Sequence, residues 1–252
     1  MKKTLILAVL ALSMTEVSHA RTDDKTKPIL LVHGWSATQT GYDCSSYFAS
    51  TISALKAQGF SNISTVGYYS KDSNCTINLQ TFDNTLTNDS PWKTIGAAFS
   101  RYIQQTYTST GQVVDLAGHS MGGLIIRGAI QGAAEKQAGF APIMVEDALT
   151  ISTPHGGTNS SSFCWSTQCR AMAKTNADIK WLATNGNPQS LIATDWTVMG
   201  STSDEIVSIS SALAMTLDTN HTVTYSGLSH LGILKDAPAN ARAGEALQLG
   251  SK

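Results

Sequence analysis

The stretch that most constrains this chain is "VVDLAGHSMGG", residues 113–123. An apolar run from Val113 to Ala117 leads into a serine hemmed in by Gly118, Gly122 and Gly123, and "LIIRGAI" follows at helical spacing. So little side-chain bulk around Ser120 lets a buried strand and a helix meet at a tight turn that pushes one hydroxyl out of the backbone. Gly118-His119-Ser120-Met121-Gly122 has the G-x-S-x-G spacing of a nucleophile elbow. A hydroxyl attacks poorly until a base takes its proton, so it must stand exposed beside that base. The helix that follows offers free N–H groups to a developing oxyanion.

Strands and helices alternate around this elbow. After the polar "RTDDKTK", Pro28 opens "PILLV", a continuous apolar run suited to a strand covered on both faces. Residues 44–58 carry a helical pattern ending at Gly59, and residues 63–69 read as a strand before a polar loop over 70–90. A helix is predicted from Pro91 over "WKTIGAAFSRYIQQTY", then strand 113–117, helix 121–132 and the strand "MVEDALTIS". A helix around "AMAKTNADIKWLA", strands at "DWTVMG" and "HTVTYSG", and a closing helix at "APANARAGEALQL" complete the series. This alternation predicts an α/β fold, a mostly parallel central sheet with helices on both faces.

Six histidines compete to be the base. His19 falls in the N-terminal apolar segment; His119 sits inside the elbow and is expected to point away from the reacting centre. His33 ("VHGW") and His155 ("TPHGG") are placed to shape the site, and His221 begins a strand and is expected at the surface. His230 lies in "SGLSHLGIL", in a loop past the last strand, where open α/β sheets hold their sites. For the acid, Asp147, Asp178, Asp195, Asp204, Glu205 and Asp218 lie between Ser120 and His230. Asp204 is the choice because "MGSTSDEIVS" is a short polar loop directly after a strand, and Glu205 is the reserve. Two backbone donors must meet the oxyanion: Met121 N–H, and Trp35 N–H in the loop after "PILLV", where Gly34 permits close approach.

Lys2 and Lys3, the apolar "LILAVLALSM" and the small-residue end "SHA" read as a secretory signal over residues 1–20, cut after Ala20. Residues 21–252 then form a single exported domain, for which 42% hydrophobic residues supply a sizeable core. A net charge of −1 gives no footprint for nucleic acid. Cys44, Cys75, Cys164 and Cys169 allow three pairings. Cys44–Cys75 and Cys164–Cys169 are favoured because each brackets one local excursion, contributing about 4 and about 2 kcal/mol in the chain-entropy picture. A zinc site lacks suitably spaced partners.

Together "PILLVHGW", "VVDLAGHSMGGL", "STPHGG", "GSTSDEIVS" and "SHLGIL" resemble the α/β-hydrolase superfamily, more narrowly the small secreted bacterial lipases of lipase class 2. The resemblance spans residues 28–234 and implies a triad of Ser120, Asp204 and His230 with an oxyanion hole at Trp35 and Met121. It implies a triacylglycerol lipase taking lipid or fatty-acid esters and touching lipid–water interfaces, with no required cofactor. Some relatives carry a structural calcium ion, for which no acidic cluster stands out here. Longer loops at 36–46, 70–90 and 157–192 set the chain apart from the smallest members. Phe163, Trp165, Met172, Ile179, Trp181 and Leu182 in the last insert are expected either to line or cover an acyl groove or to form an ordinary buried helix face. Short-chain carboxylesterase, polyester hydrolase, amide cleavage and acyl transfer use the same triad and stay open, as does a binding protein on a dead hydrolase fold. A monomer is favoured.

Overall fold

A computed structural model describes residues 23–159 and 164–248. The expected signal segment, residues 1–20, lies outside them, as does Phe163. Seven strands, β1 (Ile29–Val32), β2 (Ile63–Gly67), β3 (Ile77–Asn78), β4 (Val114–His119), β5 (Val145–Ile151), β6 (Asp195–Ser201) and β7 (Thr222–Tyr225), form one sheet in the order β3-β2-β1-β4-β5-β6-β7. Every pairing is parallel, with Ile29 beside Asp115 and Asp147 beside Asp195 setting the central registers.

The run "ILLV" is buried along its whole length because a pleated strand sends alternate side chains to opposite layers. Leu30 and Val32 join a core with residues of α4 (Trp92–Thr106) and α5 (Met121–Ala134), among them Trp92, Phe99, Leu124 and Ile125. Ile29 and Leu31 face the other layer, with Phe48, Leu55 of α2 (Ala49–Ala57) and Ala239 and Ala243 of α9 (Ala237–Ala246). Each of the larger of these side chains, the Val, Leu, Ile and Phe, contributes about 1.5–3 kcal/mol on burial. Covered on both faces, the sheet leaves its strand ends as the places where polar chemistry can collect.

Several predicted elements subdivide. The helix expected over 44–58 breaks at Phe48 (φ −104°, ψ 16°) into α1 (Cys44–Tyr47) and α2, which turns the Phe48 ring into the core. The 70–90 loop contains β3 and α3 (Leu79–Phe82). The third insert carries α6 (Thr167–Arg170) and α7 (Ala177–Leu182), and α8 (Ile209–Ala212) follows β6. Met172, Ile179 and Leu182 are core residues, and Trp181 packs against that core, its ring stacked 6.3 Å from that of Trp92. Of the insert's apolar residues named above and described, Trp165 alone faces solvent, at 96% exposure. The buried-face reading therefore holds for the rest.

Both favoured disulfides form, Cys44–Cys75 with Cα atoms 5.0 Å apart and Cys164–Cys169 with 5.6 Å. Among the described residues no helix is long and apolar enough to cross a membrane.

Candidate active site

β4 delivers the chain to Ser120 and α5 starts at the next residue. Ser120 sits at φ 56°, ψ −126°, a conformation that L-residues rarely adopt and that costs about 1–3 kcal/mol. Its N–H donates to the Ile151 carbonyl at 2.9 Å, so strand pairing holds the strained turn. A Cβ on Gly122 would run into the Val32 and His33 carbonyl oxygens, and one on Gly118 would lie 2.6 Å from the Gly123 nitrogen. A Cβ on Gly34 would meet the Ser120 Cβ at 3.0 Å and the Tyr47 hydroxyl at 2.8 Å, so only glycine lets the loop after β1 reach the serine.

His230 and Asp204, 26 residues apart in the chain, converge past β7 and β6. His230 Nδ1 lies 2.8 Å from Asp204 Oδ2 and 3.1 Å from Oδ1. Burial works against the Asp204 charge, but His230 and the N–H groups of Val207 and Ile206 outweigh it and hold the carboxyl below its ordinary range. Glu205, the reserve acid, instead accepts the His230 backbone N–H at 3.0 Å. The His230 ring stands 4.7 Å from that of His119, the residue preceding Ser120. Ser120 and His230 are both buried, at 8% and 5% exposure. Among the described residues the Ser120 hydroxyl makes no hydrogen bond to His230, whose ring nitrogen Nδ1 is turned to Asp204.

The loop after β1, which carries Gly34 and Trp35, is held from behind. Tyr68 Oη donates to the Gly34 carbonyl at 2.5 Å, and His33 Nδ1 lies 2.8 Å from the same oxygen. A peptide unit is planar and trans, so pinning that carbonyl aims the Trp35 N–H the opposite way. His33 Nε2 is 3.0 Å from Asp72 Oδ2, and Asp72 also accepts the N–H groups of Tyr42, Tyr68 and Tyr69. Among the described residues, the Trp35 and Met121 N–H groups donate to nothing, which leaves both free for a ligand oxygen.

The remaining candidates stand elsewhere. His155 is buried against Thr150, and burial followed by Arg127 pushes its pKa well down. His221 pairs with Asp195 and Asp218 near the surface, and Asp178 pairs with Lys93. Asp147 lies at the opposite end of the strands with Asp115 and Glu146, whose oxygens and its own come within 4.8 Å of one another. Lys27 is ion-paired with all three, so this acidic group already holds a cation of the chain itself.

Beside Trp35 a cavity of about 560 Å³ is lined by Ala37, Thr38, Cys164, Trp165 and Cys169. A smaller one of about 340 Å³, lined by Tyr42, Tyr47, Leu231 and Leu234, adjoins the His230 loop. Sequence reasoning passed over Tyr47, Tyr68 and Asp72. The Cys44–Cys75 pairing was the one signal that α1, which carries Tyr47, meets the loop carrying Asp72.

Residues 28–207 match the family model described as palmitoyl protein thioesterase. Among solved structures, the lipase BlEst2 of Bacillus licheniformis in its propeptide form is 16% identical at a TM-score of 0.59, covering 93% of this chain and 53% of its own. Phospholipase PlaB of Legionella pneumophila is 15% identical at 0.61, covering 89% of this chain and 59% of its own. Lipase B of Aspergillus fumigatus is 17% identical at 0.60, with coverage of 88% and 52%. The chain thus spans between half and three-fifths of the length of these three. Comparison with curated proteins returns no match. The structural likenesses carry the fold, an α/β-hydrolase of lipase-like form as the sequence motifs implied, and the matched segment carries the family: the chain belongs to the palmitoyl protein thioesterase family.

Proposed function

We propose that the protein is an exported, single-domain serine hydrolase that cleaves carboxylic esters of fatty acids, triacylglycerols included, through an acyl-enzyme on Ser120. One observation carries the reading: an Asp204–His230 pair at 2.8 Å whose imidazole stands 4.7 Å from that of His119, the residue before a strained serine at a strand end. His230, with Nδ1 turned to Asp204, takes the Ser120 proton on Nε2 as the oxygen attacks the ester carbonyl. The tetrahedral oxyanion accepts from Trp35 and Met121 N–H, each donor contributing about 3–4 kcal/mol to the barrier reduction. His230 then protonates the leaving alcohol, and water repeats the sequence to free the acid. Every proton has a place on these groups, so the proposal calls for no metal or organic cofactor. Two disulfides support an exported location. The solvent-facing Trp165 beside the cavity at Trp35 supports contact with lipid.

The family match favours a second reading, cleavage of fatty acyl thioesters. A thiolate leaves without help, so thioester turnover leans less on the acid role of His230. Matched p-nitrophenyl esters and acyl thioesters from butyryl to palmitoyl, run on wild type and Ser120→Ala, separate these readings. Long-chain ester turnover supports the lipase, activity confined to acetate and butyrate leaves an esterase, and a thioester preference supports the second reading. A fluorophosphonate probe that labels wild type but not Ser120→Ala distinguishes an enzyme from a binding protein on a dead fold; no labelling of wild type sinks the proposal.

A further inference from the structure

We propose that Tyr47 and His119 form a hydrogen-bonded brace tying the oxyanion loop to the main chain of His230, and that both are positioning residues for chemistry at Ser120. This rests on the ester-hydrolase reading above.

The direction of every bond in the brace follows from one fixed acceptor. His119 Nε2 lies 2.9 Å from the His230 carbonyl oxygen, which can only accept, so Nε2 carries a hydrogen. Burial, reinforced by the neighbouring His230 ring, pushes the His119 pKa down to about 3. The ring is therefore neutral at working pH, and Nδ1 is bare. Tyr47 Oη stands 2.6 Å from that Nδ1 and must donate to it. Burial raises the Tyr47 pKa, which keeps the hydroxyl protonated as a donor. Its oxygen is then left to accept the Gly34 N–H at 3.1 Å.

Both ends of the chain matter to the proposed chemistry. Gly34 precedes Trp35, and the brace fixes its N–H while Tyr68 and His33 fix its carbonyl. Both peptide units flanking a conformationally free residue are thereby set. At the other end, His230 is held at its carbonyl by His119 and at its N–H by Glu205. Base and oxyanion donor are thus referenced to one another through the residue preceding the nucleophile. Tyr47 rides on α1, whose first residue, Cys44, is tied to Cys75.

The test compares Tyr47→Phe, His119→Phe, His119→Gln and the double Tyr47→Phe/His119→Phe on p-nitrophenyl butyrate, with thermal midpoints. Tyr47→Phe is expected to lower kcat roughly 10- to 100-fold, less than deleting an oxyanion donor outright, with KM little moved and the midpoint lowered by a few degrees because two buried polar groups lose their partner. The double variant should be no worse than the poorer single, because one chain is broken once. His119→Gln can accept and donate along the same line and should recover most of what His119→Phe loses. Tyr47→Phe within about twofold of wild type, losses that multiply in the double, or no rescue by glutamine would each overturn the brace. The nitrogen-15 spectrum of wild type reads the brace without turnover: the Nε2–H tautomer of His119 at neutral pH supports it, and the Nδ1–H tautomer refutes it. Failure of fluorophosphonate labelling strikes the hydrolase reading and leaves that spectrum standing.

Discussion

The two ends of the sheet bury charge in opposite ways. At the carboxyl ends, Asp204 and Asp72 each face a histidine and accept two or three backbone N–H groups. Both carboxyls are held below their ordinary range although burial opposes it. At the amino ends, Asp115, Glu146 and Asp147 crowd around the single ammonium of Lys27. Among the described residues Asp115 has one backbone donor, the Asp147 N–H at 3.1 Å, and its Oδ2 has no hydrogen-bond partner. Its carboxyl is pushed up by burial and by Asp147. Oriented N–H groups let a carboxylate stay ionised without a lysine, which leaves the serine, the imidazole and two free N–H groups as the unspent valences of that end.

The sharpest way to break this contrast is at Ser120. Ser120→Ala should lower ester turnover about a millionfold, as loss of the nucleophile does in comparable triads. Its thermal midpoint should stay at the wild-type value, because alanine carries the same left-handed strain that serine does. Asp204→Asn should follow with a loss of about 10⁴-fold in kcat, since the amide favours the wrong tautomer of His230. Steady-state rates with parallel thermal scans check both. A Ser120→Ala variant retaining more than a hundredth of wild-type turnover, beyond the scale of about 10² for one lost oxyanion donor, would mean that the carboxyl end is not where the chemistry occurs.

Lys27→Met tests the other end. It removes the one cation among three buried carboxylates, and an uncompensated buried charge costs about 3–5 kcal/mol. Urea unfolding should register that loss, while the folded fraction keeps its kcat and KM. A loss of turnover without a loss of stability would erase the division between the two ends.

How much of this could be read in advance depended on how local the cause was. The strand β1 was legible because burial on both faces demands a continuous apolar run, and "ILLV" is one; β4 and β5 are buried as fully but interrupt their apolar pattern with Asp115 and with Glu146 and Asp147. Asp204 and His230 were legible because each follows a strand end in a short loop, and the structure pairs them at 2.8 Å. The two-residue β3 and the four-residue α3 and α8 are too short to show a period. The insert residues Met172, Ile179 and Leu182 fit a groove or a core equally well by pattern, and only tertiary packing assigns them to the core. Lys27 looked like part of a polar leader because its partners arrive on β4 and β5. Tyr47 and Asp72 have no motif at all; what places them is the convergence of α1 and the loop carrying Asp72 under one disulfide.

The smallest effect is a slope. The Asp115 carboxyl, raised by burial and by Asp147, holds a proton in the folded protein at pH values where the unfolded chain has released it. Between the ordinary carboxylate pKa near 4 and the raised folded value, the folded state binds more protons, so stability falls as pH rises, by at most about 1.4 kcal/mol per unit. Below that window the group is neutral in both states and contributes nothing to the slope. Asp115→Asn mimics the protonated form, and its amide oxygen can keep the bonds from Lys27 and the Asp147 N–H. Denaturation curves recorded from acid through alkaline pH should therefore coincide at the acid end and separate as pH rises, with the asparagine variant the more stable. Parallel curves would show that the excess negative charge at the amino end is relieved by a route other than protonation of Asp115.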